Sequence, residues 1–207
     1  MNENNTFKFF FLILLILVYI VRVYFSLKQR SIGQSSWSVD EDAVKREGRW
    51  SLLLRPIAFL FMLALIDLYL IEPLGSEWLH ILLPWQFRLI GVLLSFGGIL
   101  LLVLTHRALG IHWSTTLQFK EGHSLITTGP YSLIRHPMYT SLSIIFIGLA
   151  IVASFWPLWI LILLMTIFFF RIVKREEDMM IDEFGDEYVS YIERTGRYFP
   201  KLRRRNS

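Results

Sequence analysis

The stretch GPYSLIRHPMYTSLSIIF, residues 129–146, places an Arg-His-Pro triplet directly before an apolar run. If that run enters a bilayer, the triplet marks the mouth of a membrane span. Proline suits the first position of a helix, because its missing N–H would have lacked an intrahelical partner in any case. The reading therefore starts a helix at Pro137 and leaves the amides of Met138, Tyr139 and Thr140 as orphan donors at its N-terminus. Such a terminus favours a carboxylate or phosphate, and Arg135 adds a permanent cation beside it.

Composition agrees with a membrane setting. Of the 207 residues 54% are hydrophobic and 15% aromatic, against about 45–50% apolar for ordinary soluble domains. Cysteine is absent, which removes disulfides, thiolate ligands and thiol nucleophiles. The net charge of +4 is mild but uneven, with nine of the 21 Lys and Arg at or after Arg171. Lys8 precedes the apolar run at 9–21, yet no small-residue cleavage site follows, so this run reads as a retained first span rather than a signal peptide.

Five apolar segments, near 7–27, 52–71, 88–109, 140–154 and 157–172, predict an all-α integral membrane fold of five spans. The last two are short, about 22–24 Å each at a rise of about 1.5 Å per residue. They are joined by a tight link at Ser154, Phe155, Trp156 and Pro157, which predicts a helical hairpin. Lys and Arg alternate between the connections, rich in the first and third, absent from the second and fourth, and rich again in the tail. That alternation puts the N-terminus outside and the C-terminus in the cytoplasm. The expectation is one membrane domain over 1–207, with two N-terminal spans in 1–87 and a core in 88–207. That core holds an ordered loop at 110–136 and a cytoplasmic amphipathic helix after the hairpin, interrupted near Gly185.

A hairpin returns the chain to the mouth it left, bringing Lys174, Arg175, Glu176 and Glu177 toward RHPMY. Adjacent carboxylates need cationic or hydroxyl partners, or their repulsion raises one pKa. A salt-bridge network with Arg135 would satisfy them, and so would a ligand carrying an ammonium and vicinal hydroxyls. Read as ordinary interfacial residues, Arg135 snorkels, His136 caps the helix and Tyr139 joins the aromatic belt. Arg22, Arg55 and Asp67 lie within or at the ends of spans, where ionisable groups are costly. His106, His112 and His123 lack the convergent spacing of a zinc site, and no metal is expected.

RHPMY at 135–139, GHSLITTGPY at 122–131, the acidic pair 176–177 and the tail FGDEYVSYIERTGRYFP together resemble the isoprenylcysteine carboxyl methyltransferase family, especially its short prokaryotic members. The resemblance runs from about Leu109 to Lys201. It implies an S-adenosylmethionine-dependent methyltransferase within the membrane, acting on an isoprenylated or lipid-like acceptor that enters from the bilayer, with no nucleic acid partner. Carried over by position, it implies cofactor contacts from Gln118, His123, Leu125, Ile126, Tyr131, Arg135, His136, Pro137, Met138, Tyr139, Glu176 and Glu177. Ser141 stands where the family motif often has glycine. The arginine that the family places four residues before the first glutamate, to engage the substrate carboxylate, falls here on Ile172. Arg171 is one step out, a rotation of about 100° on a helix. Either a local bulge restores it as the catalytic orienting group beside Glu176, or the role passes to Lys174 or Arg175.

A carboxylate acceptor is ionised near neutral pH, so the transfer needs alignment rather than a general base. Three rivals remain open at this stage. An aminolipid N-methyltransferase would need a base in place of the arginine. A sterol-type reductase would bind a nicotinamide dinucleotide. A non-catalytic scaffold would bind neither cofactor.

Overall fold

The computed structural model describes residues 3–31, 49–110 and 124–201. Every regular element among them is helical: α1 (Glu3–Arg30), α2 (Arg49–Ile71), α3 (Trp85–Leu109), α4 (Pro137–Ala153), α5 (Pro157–Phe184) and α6 (Asp186–Arg194). Single 3-10 turns lie at Glu77–Leu79 and Gly129–Ser132. Four helices, α1, α2, α3 and α5, are long and apolar enough to cross a membrane. Their lipid-facing flanks carry exposed Phe, Leu and Ile, as expected of an integral membrane protein.

Four of the five expected spans reach this length among the described residues. The fourth segment, α4, has 17 residues and spans about 26 Å. The fifth is longer than expected, a single helix of 28 residues that carries KREEDMMIDEF without a break. Hydropathy falls after Phe170, but backbone hydrogen bonding does not depend on apolar side chains. Nothing between Pro157 and Gly185 is a helix breaker. Termination waits for Gly185, whose φ of +51° is open to glycine. The amphipathic segment expected after the span is thus split between the end of α5 and the short α6.

The tightest packing is between α3 and α4. Gly91, Ser95 and Gly98 meet Ser141, Ile145 and Gly148, and Ser95 Oγ donates to the Ile145 carbonyl at 3.2 Å. A Cβ on Gly148 would lie 2.6 Å from the Gly91 carbonyl oxygen, closer than real side chains come. Ser141 fits this crowded seam because its hydroxyl folds back on the Met138 carbonyl at 2.8 Å. The core extends from this pair to Phe7, Phe11 and Leu14 of α1 and to Leu65 and Tyr69 of α2.

Residues 154–156 join α4 to α5. Ser154 takes the left-handed conformation, and its N–H reaches the carbonyls of Ala150 and Ile151. The link is pinned to the connection before α3, where Ile81 N–H donates to the Ser154 carbonyl at 2.7 Å and Trp156 N–H donates to Leu79 at 3.1 Å. At this end, far from RHPMY, Lys8 pairs with Glu72 at 2.9 Å. Arg88 donates to the Val152 carbonyl and to Asn4, each at 2.9 Å.

Candidate functional site

The RHP segment is held by the C-terminal tail. Ile134 and Gly196 form an isolated parallel bridge. Around it Gly196 N–H donates to Leu133 at 3.1 Å, Arg135 N–H to Gly196 at 2.8 Å and His136 N–H to Arg197 at 3.1 Å. Thr140 Oγ1 extends the contact by donating to the Tyr198 carbonyl at 3.0 Å. Gly196 is required here because a Cβ would run into the Phe199 carbonyl.

Pro137 occupies the first turn of α4 after His136, as the sequence indicated. One expected orphan amide is corrected. Thr140 N–H donates to the His136 carbonyl at 3.1 Å, because the N-cap carbonyl already accepts the first intrahelical bond. Among the described residues the donor left at this terminus is the Met138 amide.

The two adjacent glutamates differ in their partners. Glu177 is buried, and its Oε1 accepts from Arg135 Nε at 2.9 Å, lies 3.2 Å from His136 Nε2 and accepts from Arg197 Nε at 3.2 Å. Its Oε2 accepts from Arg197 Nη2. Arg135 also donates to the carbonyls of Ile192 at 3.2 Å and Thr195 at 2.5 Å. Arg135 and Glu177 therefore form a clasp between the start of α4, the end of α5 and the tail. Glu176 is different: its Oε2 is buried with no hydrogen-bond partner among the described residues and lies 3.6 Å from His136 Nδ1. A buried carboxylate oxygen without a donor is costly, and it fits a ligand bearing an ammonium or hydroxyls.

Tyr131, from the 3-10 turn, is buried near this acid. Its carbonyl accepts from Tyr191 Oη at 2.6 Å. Burial, then the Glu176 charge, pushes its phenol well above the usual tyrosine value. Met138 is half-buried and meets Arg22 of α1, whose Nη1 is 4.0 Å from the Met138 sulfur. The Tyr139 ring lies 5.9 Å from His136 and 4.9 Å from Phe169. Leu125 and Ile126 are half-buried in the extended run before the turn. Gln118 and His123 lie outside the described residues, as do residues 111–123 of the loop expected at 110–136.

Arg171 is not brought to the acids. Helix α5 is continuous, so no bulge turns it inward, and five residues before Glu176 it points about 140° away around the axis. Arg171, Lys174 and Arg175 are all exposed, whereas Ile172 and Val173 are buried against Tyr139, Phe168, Met179 and Tyr198. Arg135 and Arg197 are guanidinium groups that meet an acid here, Glu177. Sequence reading did not single out Arg197 or Tyr198; the signal available was Gly196, which lets the tail approach the RHP segment closely enough to add both. Hydrogen bonding to Glu177 raises the Arg197 pKa above its usual value.

Burial chiefly raises the phenols of Tyr188 and Tyr198, so both stay protonated near neutral pH. Among the described residues no three His, Asp or Glu side chains converge as metal ligands.

Residues 87–187 match the family model of phospholipid methyltransferases. The match takes in α3, the RHP mouth and both glutamates, and it ends before the tail that supplies Arg197 and Tyr198. The fold resembles that of the eukaryotic intramembrane Ras methyltransferase ICMT, an isoprenylcysteine carboxyl methyltransferase. Its TM-score is 0.60 at 24% identity, over 70% of this chain and 53% of that one. Two curated proteins are also similar. The nickel-cobalt-cadmium resistance protein NccN of Alcaligenes xylosoxydans xylosoxydans is 31% identical over 40% of this chain and 39% of its own length. The cobalt-zinc-cadmium resistance protein CzcN of Cupriavidus metallidurans is 28% identical over 49% of this chain and 50% of its own. The matched segments thus span half or less of the curated relatives.

Proposed function

We propose that this protein is an S-adenosylmethionine-dependent membrane methyltransferase acting on the carboxylate of an isoprenylated cysteine or a similar lipid acid. The observation that carries the reading is the buried Glu176 Oε2 beside His136, which has no hydrogen-bond partner among the described residues, together with the N-terminal turn of α4 next to it. In this reading Glu176 accepts the ammonium of the cofactor's amino acid part, and the N-terminal turn of α4 receives its carboxylate. Leu125 and Ile126, with His123 and Gln118 outside the described residues, surround the base, and Tyr131 backs the acid. When bound, the cofactor supplies a methyl group on a sulfonium, a good and neutral leaving group. The chain's own contribution is alignment and exclusion of water, because a carboxylate acceptor needs no deprotonation. Glu177 and Arg135 act by fixing the mouth. By the Lys and Arg distribution, the mouth faces the cytoplasm and the acceptor arrives through the bilayer.

A second reading is methylation of an aminolipid. It is favoured by Ile172, which fills the position where a substrate arginine would stand, and by the phospholipid methyltransferase match. An amine must first lose a proton, and Glu176 with His136 offers the base. Incubating membranes with labelled adenosylmethionine and a panel of isoprenylated cysteine acids and aminolipids tests both readings. Base-labile label identifies an ester, stable label identifies an amine, and no transfer to either class overturns the proposal.

A further inference from the structure

Beside Glu176 a second buried polar atom lacks a partner, the hydroxyl of Tyr198. Its ring is 6.2 Å from the His136 ring and packs on Ile172 and Val173, on the inward face of α5 where Arg171 does not reach. The side chain is well placed: its own carbonyl accepts from Thr140, and the preceding carbonyl accepts from His136 N–H. The phenol keeps its proton, because burial and the Glu177 and Glu176 charges raise its pKa and outweigh the lowering by Arg197. Tyr198 is thus a neutral donor, held by the tail, that spends its hydrogen bond on nothing among the described residues. A buried donor left unmatched is costly, and a ligand oxygen that accepts from it relieves that cost.

The two orphans differ in sign: Glu176 accepts and Tyr198 donates. Glu176 suits the cationic end of the cofactor, whereas Tyr198 stands next to the apolar Ile172 surface where a lipid acceptor would present its head. We propose that Tyr198 is the acceptor-orienting residue, its hydroxyl donating to an anionic oxygen of the lipid acceptor, carboxylate or phosphate, in the place that Ile172 leaves without a cation. This rests on the methyl-transfer reading only in taking the RHPMY mouth as the place where the acceptor is presented.

The test uses the full chain in lipid nanodiscs and the variant Tyr198→Phe, which removes one oxygen. Binding of N-acetyl-S-farnesylcysteine is compared with that of its methyl ester, and binding of lysophosphatidylethanolamine with that of a monoacylglycerol of the same chain. Adenosylmethionine is titrated separately by calorimetry. The expected result is a loss of about tenfold or more for one of the two lipids that carry an anionic oxygen, the scale of one hydrogen bond to a charged group. The neutral counterpart and adenosylmethionine should change by less than about twofold, and the melting temperature should hold or rise. Which anion loses affinity tells carboxylate from phosphate. Equal losses for the anionic and neutral lipids, a loss confined to adenosylmethionine, no change at all, or a fall in melting temperature each overturn the assignment. If the wild-type chain binds no adenosylmethionine the proposed function fails, while the comparison of lipids still decides the role of Tyr198.

Discussion

Glu176 and Glu177 are neighbours in sequence and flank the same imidazole, yet only one is spoken for. Glu177 Oε1 lies 3.2 Å from His136 Nε2 and also holds Arg135 and Arg197, while Glu176 Oε2 lies 3.6 Å from His136 Nδ1 with no hydrogen-bond partner among the described residues. Successive helical residues point about 100° apart. One therefore faces the clasp and the other the mouth.

That division predicts opposite phenotypes. Glu177→Gln should destabilise the protein by on the order of 3 kcal/mol, since it leaves the buried Arg135 guanidinium without its anion. Glu176→Gln should leave the melting temperature nearly unchanged and weaken adenosylmethionine binding about tenfold or more, the loss of one charged hydrogen bond. Thermal melts and calorimetry on both variants check the pair, and a stability loss confined to Glu176→Gln would contradict the assignment.

The seam between α3 and α4 predicts a sharp contrast between glycines. Gly148→Ala should cost about 1–3 kcal/mol or more, because its Cβ would press on the Gly91 carbonyl at 2.6 Å and on Ser95. Gly97→Ala, with nothing within 4 Å of its Cβ, should change stability by no more than about 1 kcal/mol. Unfolding of both variants in the same detergent tests this.

At the far end, His80 predicts acid sensitivity. Burial lowers its pKa below 6.5, with Lys8 and Arg88 adding to the effect and Glu72 opposing it. The unfolded chain therefore takes up the proton first as pH falls through about 6.5, and stability is lost below that value. His80→Phe should flatten the difference in melting temperature between pH 7.5 and 5.5. An unchanged difference would show that His80 is not its source.

Tyr191 predicts the alkaline counterpart. Its hydroxyl donates to the Tyr131 carbonyl at 2.6 Å. Burial, against the lowering effect of Arg135 and Arg194, pushes its pKa up to about 12. Its contribution is complete below about pH 10 and is lost as pH rises toward 12, since the unfolded phenol ionises first. Tyr191→Phe should cost about 1 kcal/mol at neutral pH and remove that part of the alkaline decline in melting curves.

Much of this was legible in residue order. Pro137 after His136 gave the start of α4, Ser154 to Pro157 gave the link to α5, and Gly185 gave the break before α6, because each is a local backbone constraint. The length of α5 was misjudged, since hydropathy reports where a helix suits lipid and not where its hydrogen bonds stop. Arg197 and Tyr198 were passed over because they reach the site from about 60 residues downstream of RHPMY, through backbone bonds to residues 133–136.

The sequence by itself determined a helical membrane chain, the polar mouth at RHPMY and the presence of an acidic pair, all of which follow from side-chain chemistry and short-range spacing. Only the tertiary structure decided which acid is neutralised, which arginines are spent and which hydroxyl is left over. Those are matters of direction and distance between segments far apart in the chain, and a difference of one residue on a helix, as between Arg171 and Ile172, reverses whether a group faces the site or turns away from it.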